Sequence, residues 1–367
     1  MKFICERSIL LKEISIAQEV ISSKNAISIL SNIYLETAGD ILIIKATDMK
    51  VNFETRLPVE VKETGAATVF GEKFLGILSS IPDGELDFEQ TNSNIIIKPS
   101  ARKIKFQLKC IASEKYPEFP AVNKEKLFEI PVKSFKEMIT QTVFAVSDDE
   151  TRYFMNGVFF KKGDNKLVMV ATDGRRLAYS EKEAPSGVED FEGIIVPPKI
   201  LNILYKRSGD EGLVDISISK NLIFIKFGSY NLSSILIEGQ FPNYQRVIPE
   251  DQKNSFVVNR QETLEALKRV ALLVEQKSHR VYVGLEDGIM SISSEESDIG
   301  NAREEIPCKY SGEEVSMALN YRYLEEPFKV MENEEISVFF SESGKAITIK
   351  PVPESDFFHV VMPMQLD

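Results

Sequence analysis

Residues 170–179 read VATDGRRLAY, and residues 45–54 read KATDMKVNFE. Both segments contain Ala-Thr-Asp shortly before a basic residue, and Ala46 precedes Ala171 by 125 positions. In the later copy, Asp-Gly is a strong signal for a tight turn between two strands. The recurrence predicts that the chain contains copies of one folding unit. A purely structural turn remains the alternative for residues 172–176.

The helical segments repeat as well. Three stretches with helical apolar spacing occur, LLKEISIAQEVI from Leu10, SFKEMITQTVFA from Ser134 and TLEALKRVALLV from Thr263. Each is followed by a strand, then by a second helix, and then by a closing hairpin. The predicted hairpins lie at residues 94–109, 222–237 and 346–362.

The order of these elements predicts the fold class. Strands dominate, short Gly, Asn or Asp turns join them, and two helices interrupt them in each unit. This order favours antiparallel sheets with helices on one face. We therefore predict an α+β protein of three tandem repeats, with domains at residues 1–121, 127–246 and 247–367.

The composition excludes most catalytic chemistry. The 367 residues include only two histidines, His279 and His359, and three widely spaced cysteines, Cys5, Cys110 and Cys308. This argues against a zinc site, a histidine-based triad and a disulfide framework. The glycine-rich phosphate-binding motifs are also missing from the sequence. We predict no catalytic residues, no metal and no cofactor.

The sequence also predicts where the protein is found. A stretch of about 18 consecutive apolar residues, as a membrane span requires, does not occur. The first residues do not resemble a signal peptide. We therefore predict a protein of the reducing cytoplasm that does not interact with membranes.

Charge differs between the predicted helices and the rest of the chain. The predicted helices lie at residues 10–22, 72–80, 133–146, 198–208, 260–277 and 320–331. They carry 13 Lys or Arg and 9 Asp or Glu, a net charge of +4, which leaves −16 on the remainder of a chain whose total is −12. If all six faced one surface, that surface would attract a polyanion without reading its sequence. The alternative is that Lys and Arg occur there because they favour helix formation.

Together these features resemble the bacterial sliding clamps, the beta subunits of DNA polymerase III. The resemblance covers all three repeats, and its most telling segments are RYFMNG at 152–157, ATDGRRLA at 171–178, FPNYQRV at 241–247 and VVMPMQL at 360–366. It implies a ring-shaped, head-to-tail homodimer with helices lining a central hole and sheets outside. It also implies a non-enzymatic processivity factor, associated with the nucleoid, that slides on double-stranded DNA without reading its sequence.

The resemblance further implies a hydrophobic cleft for short linear motifs. The motifs would come from the catalytic subunit of the replicative polymerase, the clamp loader, other polymerases, ligase and mismatch-repair proteins. The implied wall is formed by Met155, Thr172, Gly174, Arg175, Arg176, Leu177, Pro242, Arg246, Val247, Asn320, Tyr323, Val360, Val361, Met362, Pro363, Met364 and Leu366. Methionine suits such a wall because its flexible side chain can repack around different partners. Arg176 and Arg246 are expected to offer donors at the rim, and Asp173 to fix the loop.

Two further surfaces follow from the resemblance. Loose, sequence-independent contacts to DNA are assigned to Lys24, Lys73, Arg152, Tyr153, Phe154 and Lys199. Between subunits, a basic strand at residues 102–109 is expected to meet residues 295–305, which hold five carboxylates against one arginine. The residues assigned to this interface are Lys103, Lys105, Phe106, Leu108, Leu272, Leu273, Asp298 and Glu304.

Some residues depart from the family pattern or leave alternatives open. Gln365 stands where the family often has a basic residue, Asp367 adds an acidic terminus, and Pro327 is expected to kink or end the last helix.

Taken alone, MPMQL would be an ordinary edge strand with buried methionines. A repeat scaffold or protein-binding module without a nucleic-acid role is the alternative function. An enzyme using Asp148 or Asp173 is formally possible.

Overall fold

The structure is a computed structural model that describes residues 1–21, 28–121 and 127–365. In the first repeat, helices α1 (Arg7–Val20) and α2 (Gly71–Ser80) accompany nine strands. The strands are β1 (Lys2–Glu6), β2 (Asn32–Ala38), β3 (Ile41–Thr47), β4 (Val51–Pro58), β5 (Glu60–Glu63), β6 (Gly65–Phe70), β7 (Glu85–Thr91), β8 (Asn94–Pro99) and β9 (Phe106–Ile111).

The second and third repeats each contribute eight strands and two helices to the described chain. The second contains β10 (Leu127–Pro131), α3 (Val132–Thr142), β11 (Val158–Gly163), β12 (Lys166–Thr172), β13 (Arg176–Glu183), β14 (Phe191–Val196), α4 (Pro198–Arg207), β15 (Leu213–Ser219), β16 (Leu222–Phe227) and β17 (Tyr230–Ile235). The third contains β18 (Asn254–Asn259), α5 (Arg260–Val270), β19 (Arg280–Glu286), β20 (Ile289–Ser294), β21 (Arg303–Lys309), β22 (Val315–Asn320), α6 (Tyr321–Val330), β23 (Glu335–Phe340), β24 (Ile347–Val352) and β25 (Phe357–Val361).

The chain forms two compact units that divide the central repeat. The first unit comprises Met1–Lys133 and Lys199–Leu236, and the second comprises Ser134–Pro198 and Ile237–Asp367. The first contains a 13-stranded sheet in the order β10-β15-β16-β17-β4-β3-β2-β6-β9-β8-β7-β1-β5. The second contains a 12-stranded sheet in the order β14-β11-β12-β13-β25-β24-β23-β18-β21-β20-β19-β22.

Each sheet joins two sequence repeats through one pair of antiparallel strands. In the first unit β17 pairs with β4, and Ser233 lies opposite Asn52. In the second unit β13 pairs with β25, and Leu177 lies opposite Val360. These two strand pairs lie at equivalent positions of the repeat. The β13–β25 pair brings distant parts of the chain to one site.

Burial explains why these segments adopt these elements. In β4 alternate residues are buried, as expected for a strand with one face toward a core. In α1 the buried residues include Leu10, Ile14 and Ala17, at the helical spacing read from the sequence. Each repeat therefore buries the apolar stripe of its helices against a sheet.

The structure confirms the α+β class and the closing hairpins, which are β8 with β9, β16 with β17, and β24 with β25. One predicted strand is shorter than expected. The basic segment at residues 102–109 becomes a strand only at Phe106, so Lys103 and Lys105 precede it on an exposed, irregular segment. The domain boundaries at 1–121, 127–246 and 247–367 stay a prediction.

The last helix also differs from expectation. Pro327 is buried within α6, which continues to Val330, so the proline does not end it. Proline lacks the N–H that would bond to the carbonyl of Tyr323, four residues earlier. Burial of Leu324, Pro327 and Phe328 on one face accompanies the continued helix. Packing therefore outweighs the single missing hydrogen bond.

Candidate functional site

The turn at residues 172–176, called the cleft turn below, is held by its own side chains. Asp173 Oδ1 accepts hydrogen bonds from the backbone N–H groups of Arg175, at 2.9 Å, and Arg176, at 3.1 Å. Thr172 Oγ1 accepts from the Gly174 N–H at 3.1 Å and donates to the Arg176 carbonyl at 2.6 Å. Asp173 thus has the loop-fixing position expected of it.

Arg176 lies beneath the cleft turn and not at the rim of the cleft, where we expected it. Only 11% of its side chain is exposed, and its Nε donates to Asp173 Oδ2 at 3.0 Å. Its guanidinium lies 4.6 Å from the ring centroid of Tyr323, donates to the carbonyl of Phe144 at 2.7 Å and pairs with Glu326. A planar group with several fixed donors is well suited to such stacking and bridging. All these contacts hold Arg176 as internal support.

The C-terminal strand runs directly beside the cleft turn, as predicted. In the β13–β25 pair, Arg176 lies opposite Val361. Beyond the strand, the N–H of Met362 donates to the carbonyl of Arg175 at 2.8 Å, and that of Met364 donates to the carbonyl of Ala318 at 2.7 Å. The tail is therefore fixed on both sides, by the turn and by the third repeat.

An apolar cluster, called the cleft floor below, lies under these two segments. Its buried members are Val168, Val170, Leu177, Ile195, Phe241, Tyr244 and Val360. Phe154, Ile248 and Ala346 are among the partly buried residues that pack against it. Around the floor, Val247 is 54% exposed and Met362 is 44% exposed. Two exposed apolar side chains beside an apolar cluster are what an incoming apolar group requires.

The other predicted wall residues have varied environments. Met155 and Val361 are buried, and Pro242 is half-buried one residue after Phe241 of the floor. Arg246 is exposed on the 3-10 turn Tyr244–Val247, where it can offer donors at the rim. Pro363 and Met364 are half-buried. Leu366 and Asp367 lie outside the described residues, and Gln365 is exposed.

A polar cavity of about 430 Å³ borders the cleft turn, which contributes Asp173, Arg175 and Arg176 to its lining. Its lining includes the predicted wall residues Arg175, Arg176, Asn320 and Tyr323. It also includes residues that were not predicted for the cleft, namely Val146, Ser147, Asp149, His279, Arg322 and Glu326. Burial, and secondarily Arg322, lower the pKa of His279, which favours its neutral form. The cavity is a hydrogen-bonding region next to the apolar floor.

His359 is a buried, neutral residue and not a reactive group of the site. It is buried, and its Nε2 lies 3.0 Å from the carbonyl oxygen of Gln141. Burial and the nearby charge of Arg176 lower its pKa to about 3, so it is neutral at physiological pH. The described residues contain no group of His, Cys, Asp and Glu side chains that could hold a metal ion.

The residues assigned to DNA are not equally available. Tyr153 is 53% exposed, and Phe154 packs on the cleft floor. Arg152 donates to Asp149 and to the carbonyl of Asp173, both at 2.9 Å. Lys73 is exposed beside Glu72, 3.3 Å away. Lys24 lies outside the described residues.

Lys199 makes hydrogen bonds to other residues of the first unit. Its ammonium donates to the Val20 carbonyl and to Asp48 Oδ2, both at 2.6 Å. Burial opposes the charge on Asp48, but Lys199 and the N–H groups of Val51 and Lys50 outweigh burial and hold its pKa below the ordinary value. Lys199 is therefore a weaker candidate for a DNA phosphate than an unpaired lysine.

This ion pair predicts a pH dependence of stability. A depressed carboxyl pKa stabilises the fold above the unfolded value of about 3.9, and the contribution is lost as pH falls through the lower folded pKa. We expect Asp48→Asn to lower the thermal unfolding midpoint at pH 7. In this variant the midpoint should also decrease less than in the wild type as the pH falls from about 4 to about 2. Thermal unfolding across this pH range measures both effects. Lys199→Met should lower the midpoint at pH 7 as well, and an unchanged acid dependence in Asp48→Asn would contradict the assignment.

Gly174 carries a second stability prediction. Its φ is +87°, and a Cβ at this position would lie 2.8 Å from Nη1 of Arg152. We expect Gly174→Ala to destabilise the second unit by about 1–3 kcal/mol, because it strains the backbone and displaces the arginine. Urea unfolding measures the change. The control is Gly163→Ala, which has open space and an ordinary φ, and an equal effect in both variants would refute the explanation.

Three of the predicted interface residues, Phe106, Leu108 and Glu304, lie on strands with a partly unpaired edge. Among the described strands, residues 106–109 of β9 pair with β8 alone, and residues 303–307 of β21 pair with β20 alone. Leu272 and Ile299 are 79% and 76% exposed. Phe106, Leu108 and Leu273 are half-buried. Such edges and side chains need a cover to avoid aggregation.

The charged interface residues are largely on the surface. Lys103, Lys105 and Asp298 are exposed. Glu304 pairs with Arg269, with Oε2 lying 2.8 Å from Nε of the arginine. This pair within one chain leaves Glu304 less free for a subunit contact than expected. No helix in the described part of the chain is long and apolar enough to cross a membrane.

Comparison with known proteins agrees with these features. Family models for the N-terminal, central and C-terminal domains of the DNA polymerase III beta subunit match residues 1–120, 129–243 and 245–365. The Beta sliding clamp of Treponema pallidum is 47% identical over 371 residues, covering both chains fully.

Solved structures give the same result. The sliding clamp of Bartonella birtlesii bound to griselimycin has a TM-score of 0.93 at 29% identity, and that of Bacillus subtilis has 0.92 at 27%, each with full coverage of both chains. The chain therefore belongs to the DNA polymerase III beta subunit family and is a beta sliding clamp, a non-catalytic processivity subunit of that polymerase.

Proposed function

We propose that this clamp is a closed, head-to-tail homodimer that encircles duplex DNA and tethers its partners through the cleft. The observation that carries the tethering is the apolar cleft floor, bordered by exposed Val247 and Met362 beneath a turn fixed by Asp173. Motifs of the replicative polymerase, the clamp loader, other polymerases, ligase and mismatch-repair proteins would insert apolar side chains there. Burying each would contribute roughly 1.5–3 kcal/mol.

Griselimycin supplies a probe for this cleft. The clamps of Pseudomonas aeruginosa and Bartonella birtlesii were crystallised bound to it. We propose that it binds this chain at the cleft floor and competes with partner peptides. Saturation of one site per chain, and displacement of a peptide from the replicative polymerase, would support the proposal.

The ring is supported by its edges. Among the described strands, β9 is unpaired on one edge over residues 106–109 and β21 over residues 303–307, and basic residues 102–109 complement acidic residues 295–305. Because both sets occur on every chain, a head-to-tail pair can close by using each set twice. Exposed Leu272 would add apolar contact at each of the two joints.

DNA would be held loosely, by phosphates and without base readout. Exposed Lys73 and Tyr153, together with Arg152 and Phe154, are the described candidates. A ring that slides needs weak contacts, because each tightly held phosphate would slow its motion. We accordingly place the protein in the bacterial cytoplasm, at the nucleoid.

The test uses topology. Clamps loaded on nicked circular DNA by a clamp loader should be retained during gel filtration and released when the DNA is linearised. Binding to a short open duplex should be weak and should fall with salt. Retention on linear DNA, or tight sequence-dependent binding to the short duplex, would instead favour another mode. A scaffold without a nucleic-acid role would show neither retention nor salt-dependent binding.

A further inference from the structure

A second copy of the cleft turn lies in the first unit, between β3 and β4. Asp48 Oδ1 accepts hydrogen bonds from the N–H groups of Lys50, at 2.9 Å, and Val51, at 2.7 Å. Thr47 Oγ1 accepts from the N–H of Met49 at 2.9 Å, and Met49 has a φ of +73°. Each feature has its counterpart in the cleft turn. The backbone of the binding loop is thus built twice.

The strand beside the turn is repeated too. The N–H of Ile235, just beyond the part of β17 that pairs with β4, donates to the carbonyl of Lys50 at 2.9 Å, as that of Met362 donates to the carbonyl of Arg175. Ile235 is 38% exposed and Met362 is 44% exposed. The first unit therefore presents an apolar side chain where the cleft presents Met362.

The floor beneath the two turns differs. Strand register gives the counterparts of the floor residues Val170, Leu177 and Val360 as, in the same order, Lys45, Asn52 and Ser233. Three apolar side chains of the second unit are thus replaced by three polar ones. This change leaves the turn intact, because the turn is held by its own Thr and Asp.

Two of the polar residues form a chain of hydrogen bonds. Thr47 Oγ1 donates to Asn52 Oδ1 at 2.6 Å, and Asn52 Nδ2 donates to Ser233 Oγ at 3.0 Å. In the cleft, by contrast, Thr172 Oγ1 donates to a backbone carbonyl, since Leu177 offers no acceptor. The polar groups of the first unit are therefore satisfied by one another.

The ammonium group of Lys45 lies against two aromatic rings. Its Nζ lies 5.4 Å from the ring centroid of Tyr34 and 5.6 Å from that of Phe119, and 3.6 Å from Glu54. A cation over two rings, paired with a carboxylate, is a favourable arrangement. An apolar group placed there would have to remove water from the ammonium without replacing its hydrogen bonds.

We propose that Lys45, Asn52 and Ser233 are specificity-determining residues that confine peptide binding to one of two equivalent turns. This inference rests on the proposed function of the cleft. The backbone of both turns has the conformation that peptide binding requires, but only the apolar floor of the second unit makes burial of an apolar peptide side chain favourable. A single cleft per chain then follows from the side chains beneath each turn and not from the fold.

The test grafts the apolar floor onto the first unit. Isothermal titration with griselimycin should give one equivalent per chain for the wild type and two for the variant Lys45→Val, Asn52→Leu, Ser233→Val. Adding Leu177→Asn to this variant should return the stoichiometry to one, with the remaining ligand in the first unit. Hydrogen exchange at residues 47–50 locates it.

The outcomes separate the two ideas. A wild-type stoichiometry of zero would contradict the proposed cleft, and this inference with it. One equivalent for both the wild type and a folded triple variant would overturn the inference alone. If the triple variant does not fold, the wild type still decides: protection by griselimycin must appear at residues 172–176, and protection at residues 47–50 would overturn the inference.

Discussion

Deleting residues 362–367 is expected to weaken binding of griselimycin and of polymerase peptides by about 100-fold or more. The deletion removes exposed Met362 from the edge of the cleft floor, and it removes the backbone bonds to Arg175 and Ala318 that fix the tail. Loss of two buried apolar contacts, at roughly 1.5–3 kcal/mol each, corresponds to at least about tenfold each, or about 100-fold together. Fluorescence anisotropy with a labelled probe measures the change.

Two controls accompany the deletion. The β13–β25 pairing ends at Val361, so the sheet should stay intact and the protein should remain a dimer. Met49→Ala removes a methionine that is 54% exposed on the equivalent turn of the first unit, and it should leave binding unchanged. If the truncated protein binds at full strength, the cleft turn is not a recognition site.

Leu272→Asp is expected to convert the dimer into monomers. Leu272 is 79% exposed in the single chain, near the unpaired edge of β21, and we assign it to the subunit joint. A carboxylate buried there without a partner would oppose association strongly. Roughly 3 kcal/mol at each of the two joints, about 6 kcal/mol together, weakens the dimer by a factor of about 10,000. Sedimentation should shift from a mass near twice 41.5 kDa to that of one chain.

The matched control is Leu213→Asp. Leu213 is 49% exposed at the start of β15, away from the predicted interface residues in the sheet order, so its variant should remain a dimer. Reversing Lys103 and Lys105 to Glu should also favour monomers, in a salt-dependent manner, because both are exposed. A dimer that survives both interface variants would show that the subunits meet elsewhere.

Local signals in the sequence were sufficient for the elements of the fold. The Asp-Gly turn, the helical spacing from Leu10 and the three hairpins are encoded by neighbouring residues, so they could be predicted without any tertiary contact. The three occurrences of the helical stretch, from Leu10, Ser134 and Thr263, then indicated the number of units. Helix ends were less certain, as α6 shows, because packing keeps Pro327 inside the helix.

Side-chain roles could be predicted only where the backbone alone decides them. The loop-fixing role of Asp173 follows from its place in the turn, and the structure agrees. Arg176 was expected at the rim, but Phe144, Tyr323 and Glu326 surround it. Lys199 was expected to face DNA, but Asp48, 151 positions earlier, accepts its hydrogen bond.

The sequence by itself determined that the chain consists of three α+β repeats, that His- and Cys-based chemistry is improbable, and that two turns share one design. Only the tertiary structure decided which strands join the repeats, and therefore which residues lie beneath each turn. Val360 reaches Leu177, and Ser233 reaches Asn52, through strand pairs formed across more than 180 positions. Turn geometry depends on adjacent residues, whereas an apolar floor depends on side chains that meet only after the sheets have formed.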